Sequence, residues 1–121
     1  MKLEVTDSKL DDAFPPPPVK ASELLLPITT WSEMFCETQI TGVEFGKFWY
    51  KSVEAGVAYF FRWLGEPRST VLIVWDDKIP THVECRKGGG LLASADESEP
   101  IIAEVTQLFL NAGFWRDHVK H

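Results

Sequence analysis

Apolar positions crowd into two adjacent runs, "VAYFFRWLG" at residues 57–65 and "STVLIVWDD" at residues 69–77. Both have the length and the aromatic and β-branched content of strands, and the Gly-Glu-Pro-Arg connection between them reads as a hairpin loop. In the first run Val57, Tyr59, Phe61 and Trp63 share one side, and Ala58, Phe60 and Arg62 the other. In the second the sets are Thr70, Leu72, Val74 and Val71, Ile73, Trp75. Antiparallel sheets with one wet face alternate apolar with polar residues, whereas both sides of this hairpin are apolar, so each needs a cover. "THVECRK" does alternate, Thr81, Val83 and Cys85 against His82, Glu84 and Arg86, and reads as a third strand at the sheet edge.

Helical patterns flank the strands. Thr30 and Glu33 fit a capping box, with the hydroxyl taking an orphan amide and the carboxylate returning to the cap's own amide; the helix it opens runs from Trp31 to about Gln39 and stops at Gly42. Phe45, Phe48, Trp49 and Val53 recur at helical spacing over residues 43–54 and read as a core stripe, with Gly46 inside the segment and Gly56 as its terminus. After "GGGLLASADESEP", read as a flexible loop, Ser98 caps a last helix with Glu99 and Pro100 in its first turn. Ile101, Ile102, Val105, Leu108, Phe109 and Ala112 form its apolar stripe, closed by Asn111 to Gly113. The expected fold is α+β: a three-stranded antiparallel meander packed with two short N-terminal helices and one C-terminal helix.

Pro15 to Pro18 lack amide donors and favour polyproline II, which marks residues 1–19 as a flexible or extended arm and residues 20–121 as a single domain. The net charge of -6 disfavours a general phosphate-binding surface, because such affinity comes from Lys and Arg displacing counterions. Cys36 and Cys85, without a CxxC pattern, read as reduced thiols. No run approaches the ~20 apolar residues of a membrane span, and no apolar signal segment opens the chain, so the expected setting is cytoplasmic, without membrane contact.

The candidate chemistry is sparse, and no motif asks for a cofactor or a metal. "RKGGG" offers two cations and the amides of Gly88, Gly89 and Gly90, and Arg62 and Arg68 at the hairpin could join Arg86 and Lys87 in a local basic patch. Tyr59, Trp63 and Trp75 would serve as base-stacking aromatics only on an open sheet face. His82 and Cys85 fall on opposite faces of their strand and form no local pair; an enzyme would be built on His82, Glu84 or Cys85.

Taken in order, "LPITTWSEMFCET", "YKSVEAGVAYFFR", "EPRSTVLIV", "VECRKGGG" and the closing amphipathic helix resemble the PcfJ-like proteins of conjugative plasmids and other mobile elements, over Leu26 to Leu110. The chain departs from that family where a His-Cys pair usually precedes the Tyr: here "EFGKFWY" has Phe45 and Gly46, and the Asn that follows the family's glycine loop is missing. No site residue is carried over, and the resemblance implies only a bacterial or phage mobile-element setting. The residues favour a small acidic, non-enzymatic module that binds another protein or itself, as an inhibitor or accessory factor. Nucleic-acid binding through the basic patch and glycine loop is the alternative.

Overall fold

The computed structural model describes residues 12–76 and 80–114. Its elements run β1 (Leu25–Pro27), α1 (Trp31–Thr41), α2 (Lys47–Glu54), β2 (Ala58–Trp63), β3 (Ser69–Trp75), β4 (Pro80–Lys87), β5 (Leu91–Leu92) and α3 (Ala95–Asn111). The strands form one antiparallel sheet in chain order, β1-β2-β3-β4-β5. The class is α+β as expected, but the three-stranded meander is not what forms. β1 precedes the first two helices and pairs with β2, and β5 follows the glycine turn and pairs with β4. Both added strands are too short to leave an alternation in the sequence, and one ends on a proline.

Each face of the central hairpin has its own cover. Tyr59, Phe61, Trp63, Val71, Ile73, Trp75 and Cys85 face α3, whose Ile101, Val105 and Phe109 complete a buried layer. Phe109 and Phe114 both pack their rings on Trp75, at 5.1 and 4.8 Å between centroids. The opposite face, Ala58, Phe60 and Leu72, is roofed by Met34 and Trp31 of α1, Tyr50 and Val53 of α2, and the linking residues Val43 and Phe45. The Pro-rich segment contributes here: Phe14 is buried edge-on against Trp31, its amide bonds the Thr29 carbonyl at 2.8 Å, and Val19 is buried on the α3 side. Residues 12–19 are therefore extended but docked, and the rest of the expected arm lies outside the described residues.

Helix boundaries follow local hydrogen bonding. Thr30 accepts the Glu33 amide at 3.1 Å, as a cap should, while the Glu33 carboxylate bonds the Thr29 amide and hydroxyl, one residue short of the expected return to Thr30. α1 ends at Gly42, whose φ of 71° is left-handed. α2 begins at Lys47, four residues later than expected from Val43, because Val43 and Phe45 are drawn into the core and Gly46 is the extended cap. α3 begins at Ala95, earlier than the Ser98 cap implied: Ser94 and Glu97 form a full capping box, and Pro100 lies inside the helix. The nearer box wins because it satisfies two orphan amides.

α1 is fixed to the sheet by an ion pair between a buried carboxylate and a partly exposed arginine. Glu37 is 1% exposed, and its two carboxylate oxygens take both terminal nitrogens of Arg68 and the hydroxyl of Thr70. Arg68 also donates to the Ser69 carbonyl at 2.8 Å.

Both margins of the sheet are irregular. On β1, Leu25 exchanges hydrogen bonds with Ser22, and Pro27 has no amide to offer. On β4, the register passes from Val74–His82 to Trp75–Pro80, leaving Thr81 as the extra residue of a bulge, and β5 covers the other end.

Two substitutions test this framework. A Cβ at Gly65 would lie 2.8 Å from the Trp63 indole, so Gly65→Ala should cost about 1–3 kcal/mol in urea unfolding. Glu37→Ala strips Thr70 and Arg68 of their shared acceptor and should cost about 2–3 kcal/mol in the same measurement, with Glu37→Gln in between.

Candidate functional site

The four cations expected as one basic patch do not share a surface. Arg62, Thr70 and Arg86 are cross-strand neighbours beneath α1, but Lys87 points to the α3 face and bonds Glu97 at 2.9 Å. Arg68 is engaged with Glu37, and Arg86 with Glu84. Arg62 faces Glu33: burial pushes that carboxyl up, but the bonds from Thr29, the field of Arg62 and the Thr30 amide together hold it below its ordinary value. The Arg62 Nε is buried without a hydrogen-bond partner among the described residues, as is the Trp63 indole nitrogen.

Gly88, Gly89 and Gly90 form a tight helical turn rather than a loose loop, with left-handed φ at Gly89 and Gly90. The turn lies against the C-terminal end of α1: a Cβ on Gly42 would meet the Gly89 backbone at 3.7 Å, and one on Gly88 would meet the Thr41 carbonyl at 3.9 Å. The carbonyl end of a helix carries partial negative charge, so a phosphate placed there would be repelled. Arg86 closes the turn by donating to the Gly90 carbonyl at 2.9 Å, its guanidinium 5.8 Å from the Phe45 ring centroid. These residues act as a latch between α1 and β4.

Tyr59, Trp63 and Trp75 are buried beneath α3, so the condition set for stacking bases on them, an open sheet face, is not met. His82 and Glu84 approach at 3.5 Å on the surface, while Cys85 is buried on the other face, as the strand alternation required. No group of three or more His, Cys, Asp or Glu side chains converges as a metal site among the described residues.

The outer side of α2 carries an exposed aromatic surface. Tyr50 and Val53 turn inward, leaving Lys47, Phe48 and Lys51 on the exposed arc of the helix. Phe48 is 69% exposed and rests edge-on against Trp49 at 4.8 Å between centroids; Trp49 in turn stacks on His82 at 6.3 Å with 13° between the planes. Two elements distant in sequence thus build one aromatic surface. The helical spacing of Phe48 and Trp49 was visible in the sequence, but it assigned both to a core stripe. The neighbouring His82 came from a strand and carried no signal of joining them.

No protein-family model, curated protein or solved structure matches the chain. No helix among the described residues is long and apolar enough to cross a membrane.

The two cysteines offer a direct check on this surface map. Both are free; Cys36 is exposed, whereas burial pushes the Cys85 thiol up, with a hydrogen bond from Ser98 pulling the other way. A raised thiol holds less thiolate at neutral pH and reacts more slowly. One thiol per chain should titrate rapidly with a disulfide reagent in the native state, removed by Cys36→Ser, and the second should appear only on unfolding.

Proposed function

We propose that this domain works by binding another protein through the outer side of α2, with Phe48 and the Trp49–His82 stack as its centre. The observation that carries the reading is Phe48: a large aromatic ring left 69% exposed beside a second, half-buried aromatic, in a domain whose sheet faces are both covered by its own helices. Exposed aromatics of this kind supply much of the energy at protein interfaces. The sheet face itself, the other surface the sequence suggested, is occupied. Nucleic-acid binding draws less support, because Arg68, Arg86 and Lys87 each have a carboxylate partner and the glycine turn sits at the negative end of α1. An inhibitory or accessory role in the cytoplasm of a bacterium carrying phage or mobile elements is the setting that fits this reading and the resemblance in the sequence.

Phe48 packs on little of its own domain, so Phe48→Ser should leave the unfolding free energy within about 0.5 kcal/mol of the parent. Selection of a random peptide library on the immobilised domain should yield convergent sequences whose affinity falls about tenfold or more on Phe48→Ser. Selected peptides that bind the variant equally well, or a selection without convergence, would remove α2 as the binding surface.

A further inference from the structure

Between the glycine turn and the packed part of α3 lies a stretch held mainly by polar contacts. Of the described residues Leu91 to Pro100, none is buried; Leu91 and Leu92 are 63% and 61% exposed, and Ala93 alone rests against the core. The buried side chains of α3, Ile101, Val105 and Phe109, all follow Pro100. Apolar burial therefore stabilises the helix beyond the proline and adds little before it.

Few contacts hold this stretch to the sheet. β5 pairs with β4 at Lys87–Leu91 and Arg86–Leu92, the Ala93 amide donates to the Cys85 carbonyl at 2.9 Å, and Ser98 hydrogen-bonds the Cys85 thiol. Glu97 gathers the rest: its Oε1 takes the Ser94 amide and Lys87 Nζ, both at 2.9 Å, and its own amide donates to the Ser94 hydroxyl at 3.2 Å. Both ends are suited to bending. Gly90 has a left-handed φ of 81°, and Pro100 has no amide to give the Asp96 carbonyl, which interrupts the helical ladder between the first turn of α3 and its packed part.

We propose that residues 91–99 form a clasp that opens as a unit about Gly90 and Pro100 while the rest of the domain stays folded, with Glu97 as its catch. Opening breaks a short ladder, one helix cap and an exposed ion pair, and the last of these contributes little in water. Segments poor in apolar burial are the ones that open below the global unfolding free energy. An open clasp bares the amides and carbonyls of β4 from Cys85 to Lys87, the part of that strand that lies beyond the bulge at Thr81.

The test is native-state hydrogen exchange on the full chain under conditions where closing outruns exchange. It is read at the Ala93 and Ser98 amides, bonded to the Cys85 and Ser94 carbonyls, and at the amides of β2 and β3. In the parent the two clasp amides should be protected equally, about a hundredfold less than those of β2 and β3, and with little dependence on low urea, because a small opening exposes little surface. Glu97→Ala removes the cap return and the ion pair and should speed Ala93 and Ser98 alike, by about tenfold. Glu37→Ala weakens the seat of α1, which stays made when the clasp opens. It should speed the β2 and β3 amides by about thirtyfold and leave the clasp amides unchanged. Clasp amides with the protection and urea slope of the hairpin would overturn the proposal, since the segment would then open only with the whole domain. Acceleration of Ser98 without Ala93 in Glu97→Ala would overturn it as well, as fraying of the helix end alone. So would a Glu37→Ala variant in which the clasp amides accelerate as much as those of β2 and β3.

Discussion

The Glu37 carboxylate is the pivot of this molecule. An isolated carboxylate inside a protein costs several kcal/mol in lost hydration, and this one is tolerated because Arg68 and Thr70 surround both its oxygens. The arrangement fixes three things together. It sets the rotation of α1 over β3, it orders the hairpin turn that carries Arg68, and it brings the C-terminal end of α1 to the height at which Gly42 meets Gly89. The position of the glycine turn, and with it the line of β5, follows from that contact. Apolar packing alone would leave α1 freer to slide along Phe60 and Leu72, since hydrophobic contact has little directionality.

The elements that were readable in the amino-acid order are those whose pattern is long enough to repeat. The hairpin, with side chains sorted correctly between its two faces, the edge-like alternation of β4 and the stripe of α3 all follow from spacing. β1 and β5 carry two or three residues each, and nothing of period two can show itself over that length; they form because the neighbouring strand offers unpaired carbonyls and amides. The start of α3 was misplaced by competition between caps, Ser94 with Glu97 against Ser98 with Pro100, which only the completed hydrogen bonds separate.

The site was harder to read for a different reason. Cations were grouped by their nearness in the chain and around the hairpin, yet Arg86 and Lys87, adjacent in sequence, leave opposite faces of the same strand. Their partners, Glu84 and Glu97, turn what looked like available charge into internal structure. Phe48 and Trp49 were assigned to a core because aromatic residues at helical spacing usually belong to one. Only when Val43 and Phe45 had been placed beneath the sheet did it follow that the helix starts late and turns Phe48 outward.

The irregular sheet margins have a consequence for how such a domain changes over time. A protein that recruits its partner by extending a sheet reads mostly backbone, and a substitution in either chain alters little. Here a bulge and prolines stand against that route, and the recognition proposed above uses side chains on one short helix instead. An exposed position such as Phe48 holds little of the fold, so under that proposal a change at two or three such positions would redirect the domain from one target to another without touching the scaffold. A small chain that bound in the proposed way would suit a contest in which the target surface keeps changing.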